Sequence, residues 1–244
     1  MTVSLPLRSL SKKVKVQAVT VLSEGYIPVK GAEIYYREVS PNAKQDRQPI
    51  ILLHGGFDLD HTYFLPDMDR LADTYRLIYY DQRGRGKSAG NVESLSIESE
   101  MRDLDAVREY FGLESVGLLG HSWGGVLVME YTIRHPERVS HMILVGTGPA
   151  SQEDIELYLR EWGRRKAPYE EAIKALLSSE SFKEGDPKAL ADWYRIYFST
   201  TIKEQEALDK LNLRLEGFTN ELVLRGRAIE NRLWGETWGR KGTI

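Results

Sequence analysis

Gly120-His121-Ser122-Trp123-Gly124 sets a serine between two glycines with G-x-S-x-G spacing, the arrangement of a nucleophile on a tight strand-to-helix turn. A serine there projects its hydroxyl clear of the strand, and the small flanking residues let strand and helix approach without a side-chain clash. The next backbone N–H, that of Trp123, then opens a helix and points at the oxygen that becomes negative when an acyl carbon is attacked. The chemistry implied is acyl transfer through Ser122. By itself the motif is weak, because ordinary glycine and serine usage would produce it in roughly one chain of this length in twelve. His54-Gly55-Gly56 adds context: it follows an apolar run, where an N–H from Gly56 or Phe57 can complete an oxyanion hole. Simple turn glycines are the other explanation of that tripeptide.

The elements that must position these residues are legible in outline. Val14, Val16, Ala18 and Thr20 alternate with polar neighbours, as do residues 34–39 after Gly31, and both runs predict strands of an antiparallel edge. Residues 49–53 and 76–80 are short apolar runs, too short for helices, and predict buried strands. Ile97, Met101, Leu104, Val107 and Phe111 step by three and four, predicting an amphipathic helix capped by Ser94 or Ser96. Strand 115–119, helix 123–134 and strand 140–145 follow, and this alternation predicts a parallel sheet with right-handed crossovers. After Pro149 the pattern is helix after helix, with Asp186-Pro187 a cap and first turn. The division expected is a core over 1–150, a helical lid over 151–240 and a return to the core at 241–244.

Three segments together, His54-Gly-Gly56, Asp81-Gln-Arg-Gly-Arg-Gly-Lys-Ser88 and the elbow at 120–124, resemble the α/β-hydrolase superfamily in order and spacing. The D-Q-R-G-x-G-x-S match is similar to the proline iminopeptidase group of serine aminopeptidases, and Ala228-Ile-Glu-Asn-Arg232 resembles that group's A-R-I-E-N segment. The resemblance covers about residues 25–240. It implies an α/β-hydrolase fold with a mostly parallel central sheet and an inserted helical lid. It also implies release of N-terminal proline or a small apolar residue from peptides, with Glu230 holding the substrate's free amine and Phe57 in the binding site. A surface position on a helix is the alternative for Glu230. Where the group has H-G-G-P-G, this chain has His54-Gly-Gly-Phe-Asp58, so the loop and the substrate class can differ.

A serine needs a histidine base and an orienting carboxylate, in this fold in the order Ser, acid, His. After Ser122 come only His135 and His141. His135 ends the elbow helix, about a dozen residues at ~1.5 Å and so nearly 20 Å away, and His141 opens the next strand at the far edge. His54 and His61 precede the elbow and are assigned to loop hydrogen bonding, and His121 should point back into the scaffold. In the family two further strands and a last helix follow the lid and carry the catalytic aspartate and histidine. The resemblance therefore implies a C-terminally truncated chain that lacks these elements and is inactive alone. Such a chain would be complemented by a second polypeptide or would self-associate through an open sheet edge.

Composition bounds the rest. The 244 residues carry a net charge of -3 and no cysteine, which excludes disulfides, thiolate metal sites and a cysteine nucleophile. The balanced charge argues against nucleic acid, and no run is long and apolar enough to span a membrane. A cytoplasmic protein acting on a small peptide or acyl substrate is expected, with no cofactor and no metal. Gly86-Lys87-Ser88 mimics the end of a phosphate-binding loop, but Asp81 stands where its first glycine belongs. Trp162, Trp193, Trp234 and Trp238 in the lid are read first as packing, and alternatively as walls for a proline ring or acyl group. Two further functions stay open: a carboxylesterase or C–C bond hydrolase on the same scaffold, and a non-catalytic remnant or binding module.

Overall fold

The computed structural model describes residues 20–40, 48–211 and 213–238. The expected strand at Val14–Ala18 and the return at 241–244 lie outside these residues. Strands β1 (Thr20–Val29) and β2 (Ala32–Ser40) form an antiparallel hairpin, and β3 (Pro49–Leu53), β4 (Arg76–Tyr80), β5 (Val116–His121) and β6 (Val139–Val145) complete a six-stranded sheet. Its order is β1-β2-β4-β3-β5-β6, with β2 antiparallel to β4 and all pairs from β4 to β6 parallel. The sheet is thus mixed, its antiparallel edge beginning at Thr20.

Both faces of the central strands are covered, which is why β3 and β4 are apolar without alternation. Helix α1 (Ile97–Tyr110) begins at Ser96, which forms a reciprocal capping box with Ser99. With α2 (Trp123–Arg134) it covers one face: Ile97, Met101, Leu104 and Val107 meet Val126, Leu127, Ile51 and Ile78 in the main core. On the opposite face Ile50, Leu52, Leu77 and Tyr79 pack under Phe64 and Ala72 of the 61–73 segment.

Helices α3 (Gln152–Lys166), α4 (Glu170–Ser178), α5 (Glu180–Lys183), α6 (Pro187–Ser199) and α7 (Gln205–Asp209) follow the last strand. The last described helix, α8 (Asn220–Trp238), is not confined to this layer: its Ile229 and Leu233 are fully buried in the main core beside Leu95 and Ile97. Among the described residues β6 pairs with β5 alone, and Met142, Ile143, Leu144 and Val145 on it are all exposed. No helix of the described residues is long and apolar enough to cross a membrane.

Candidate active site

Ser122 sits between β5 and α2 with φ 52° and ψ -116°, a conformation that side-chain-bearing residues rarely adopt. The turn is fixed from several sides. Ser122 donates its N–H to Val145 O at 3.1 Å, and its carbonyl accepts from Gly125 and Gly148. Gly124 is required by close approach, because a Cβ there would lie 2.2 Å from the carbonyl oxygen of Leu53. The 54–58 loop rides on this turn: a Cβ on Gly55 would meet the Ser122 Cβ at 2.7 Å. Phe57 packs against Trp123 with ring centroids 4.7 Å apart and planes tilted by 45°. Trp123 is the first residue of α2, so its N–H has no acceptor within the helix.

Ser122, Gly56, Trp123, Phe57 and Glu230 all line one cavity of about 590 Å³. The lid supplies most of its opposite wall through Tyr158, Trp162, Trp193, Tyr194, Tyr197 and Phe198, with Trp234 from α8. The lid aromatics therefore face the cavity as well as one another, as where Trp162 meets Trp193 edge to face at 6.4 Å. Packing alone does not describe them. The side chain of Trp238 lies outside the described residues.

Two acidic groups stand in this wall. Glu230 is solvent-exposed on α8, and partial desolvation by the cavity wall pushes its carboxyl above the ordinary range, Asp58 pushes it further, and Arg227 opposes. Asp58 is likewise pushed up by burial, against the hydrogen bond it accepts from the Tyr194 hydroxyl at 2.5 Å. The sequence offers Tyr194 only as one of the lid aromatics that could wall a pocket, and it does not offer Asp58 as a site residue. The visible signal was Asp58 itself, in the loop where the motif departs from H-G-G-P-G.

The five histidines are all engaged elsewhere or distant. His121 Nδ1 and the Tyr63 hydroxyl share a hydrogen bond of 2.7 Å, and that hydroxyl accepts from Gly55 N. His61 bonds Asp81 Oδ1 through both its N–H and Nδ1, and Asp81 Oδ2 accepts from Lys87 N. Burial works against the Asp81 carboxylate, but the His61 hydrogen bond and charge carry its pKa below the ordinary value. His135 ends α2 and His141 lies near the start of β6, opposite Gly117.

The 81–88 motif is a brace rather than part of the cavity wall. Gln82 donates its N–H to His54 Nε2 and its amide to His54 O, and Arg83 grips Asp103 with two bonds of 2.6 and 2.8 Å. Ser88 donates to Asp81 O and accepts from Tyr35 N. Asp60, His61 and Asp81 bring possible ligand atoms within 4.8 Å of one another. Within it His61 and Asp81 bond each other, Asp60 accepts from Thr62, and Asp81 accepts from Lys87 N.

Burial lowers His54 from 6.5 to about 3, so its ring is neutral and donates from Nδ1 to Gly55 O. Above pH 6.5 folded and unfolded states carry the same neutral ring. Below it the unfolded chain binds a proton that the folded chain refuses. Stability is therefore expected to fall between pH 6.5 and about 3, by up to ~1.4 kcal/mol per pH unit from this group. Urea unfolding of wild type and His54→Asn at pH 7 and pH 5 measures this, and equal pH slopes in the two proteins would exclude it.

Fold and elbow define the class: residues 48–187 match the alpha/beta hydrolase fold family, and the chain belongs to it. Within that family it is similar to proline iminopeptidases. It is 36% identical over 163 residues to the proline iminopeptidase of Clostridioides difficile (strain 630), covering 65% of this chain and 54% of that protein. It is 40% identical over 130 residues to that of Lactobacillus helveticus (strain DPC 4571), covering 51% and 43%. The chain spans about half the length of these curated relatives. Among solved structures, VinJ superposes with a TM-score of 0.56 at 23% identity, over 87% of this chain and 69% of that one. A hydrolase from Pseudomonas aeruginosa PA01 superposes with a TM-score of 0.54 at 16% identity, over 84% and 71%. These two likenesses concern the fold.

Proposed function

We propose that the protein is a serine hydrolase of proline iminopeptidase type, releasing N-terminal proline or a small apolar residue from peptides. The observation that carries this reading is the sharing of one cavity by Ser122, Gly56, Trp123 and Glu230. In the reaction Ser122 Oγ attacks the carbonyl carbon of the N-terminal residue, and the N–H groups of Trp123 and Gly56 hold the oxyanion. Collapse expels the amine of the shortened peptide, and water then releases the acyl group from the serine. Glu230 pairs with the substrate ammonium, and Phe57 with the lid aromatics encloses the side chain. The absence of cysteine fits a reducing cytoplasm.

None of the histidines among the described residues hydrogen-bonds Ser122. On this reading the base and its carboxylate come from outside the described residues, supplied by a complementing segment or chain, and residues 20–238 alone bind without turning over. Intact mass after a fluorophosphonate probe tests that point. No adduct on the 244-residue chain is expected, and an adduct on Ser122 would mean that a base does reach it.

Glu230→Ala is expected to lower kcat/KM for an L-prolyl arylamide by 10- to 100-fold in any active form, as loss of a charge-assisted contact of about 1.5–3 kcal/mol implies. Turnover of a p-nitrophenyl ester should be little changed. Unaltered prolyl kinetics would remove the main residue-level support for an aminopeptidase, and ester turnover with no prolyl arylamide turnover would favour a carboxylesterase.

A further inference from the structure

Glu230 lines the cavity, yet its carboxylate has no hydrogen bond or ion pair with any described residue. Asp58 Oδ1 takes the Tyr194 hydroxyl, and the carboxylate also draws on its own backbone N–H, but it has no ion pair with a described residue. Arg227 acts on both carboxylates at a distance but pairs with neither: its guanidinium lies 3.7 Å from the Phe182 ring and donates to Phe182 O. Glu230 is solvent-exposed and Asp58 half-buried; neither forms an ion pair with a described residue, so both can meet an entering ammonium directly.

Helix α8 is brought against the loop by Gly226, where a Cβ would lie 2.2 Å from the Asp58 Cβ. Glu230 is four residues on, one helical turn along the same face. Loop and helix therefore present their carboxylates to the same end of the cavity. Resting on the aminopeptidase reading above, we propose that Asp58 is a second substrate-binding carboxylate, which with Glu230 holds the ammonium of the substrate's N-terminal residue.

Covalent geometry gives Asp58 a role that Glu230 does not fill. In an α-amino acid the amino nitrogen and the acyl carbon share one Cα and lie about 2.5 Å apart. The group that fixes the ammonium must therefore sit beside the groups that hold the oxyanion. Asp58 is two residues from Gly56 in the same loop, so an ammonium on Asp58 is in register with the hole. Glu230 approaches from the helix layer and closes the other side.

The test is a titration with L-prolinol, which carries the ring and ammonium but no acyl carbon to attack, against N-acetyl-L-prolinol, which lacks the charge. Binding is read from the fluorescence of Trp123, Trp162, Trp193 and Trp234, which line the cavity. Wild type should bind L-prolinol at least tenfold more tightly than the acetylated form. Asp58→Asn and Glu230→Gln should each lose tenfold or more for L-prolinol and nothing for the acetylated ligand. Asp58→Gly, which introduces no new polar group, decides if near-ultraviolet circular dichroism shows the Asn variant unfolded. Wild-type affinity in the Asp58 variants with loss in Glu230→Gln overturns the role of Asp58 and leaves the aminopeptidase reading standing. Equal binding of the two ligands by wild type, or binding of neither, overturns both.

Discussion

Ser122→Ala is expected to abolish turnover in any active form of this protein, a fall in kcat on the order of 10⁶-fold, while the chain stays folded. The hydroxyl is the only group the elbow offers as a nucleophile. The turn that holds it is maintained by backbone bonds to Val145, Gly125 and Gly148 rather than by the side chain. The same geometry predicts a gain from a different replacement. At φ 52° a Cβ is strained, so Ser122→Gly should match or exceed wild-type stability, by about 1 kcal/mol, while equally inactive. Urea midpoints and single-turnover kinetics on the two variants read both statements. Residual turnover in Ser122→Ala would move the nucleophile elsewhere, and a Ser122→Gly protein less stable than Ser122→Ala would show that the turn stores no strain.

The second large effect belongs to Arg85 and Glu100, whose side chains are completely buried and joined at 2.6 Å. Arg85 Nε and Nη2 and Glu100 Oε2 have no hydrogen-bond partner among the described residues. Burial holds the Glu100 carboxyl above its ordinary value even with the guanidinium opposing. Such a pair adds little over an apolar replacement, yet half of it is worse than none. Glu100→Ala or Arg85→Ala should cost about 3–5 kcal/mol by leaving one charge buried alone, whereas Arg85→Met with Glu100→Leu should recover most of that loss. Denaturant unfolding of the four proteins in a double-mutant cycle measures the coupling. Single variants within 1 kcal/mol of wild type would show that water reaches the pair.

The parts of this fold legible in the sequence are those whose residue pattern answers to one local cause. Residues 49–53 and 76–80 could only be strands because both faces are covered. The cap of α1 was narrowed to Ser94 or Ser96, and Ser96 holds it because Ser99 returns the bond. The elbow was readable because only small residues fit around Ser122. Less was readable where the cause is tertiary. The role of Asp81–Ser88 as a brace depends on His54 and His61, whose bonds to it span 28 and 20 residues of sequence. The lid aromatics line the cavity because α3 and α6 cross over the elbow, which helical spacing does not encode. Asp58 was visible as a departure from a motif, but its meaning depends on Gly226 and Glu230, set beside it by a helix about 170 residues later in the chain.

The cavity wall runs from Gly56 to Trp234, and so does the order in which its parts can be lost. The elbow follows β5, a strand paired on both sides, by β3 and β6. Glu230 and Trp234 ride on a single helix, anchored in the main core chiefly by Ile229 and Leu233. Helices held by few buried contacts open at lower free energy than central strands. Mild heating or low denaturant should thus release α8 before the central strands. What remains is a molecule that still presents its serine but no longer distinguishes a charged amino terminus from an uncharged acyl group. Selectivity in this architecture is a less durable property than reactivity.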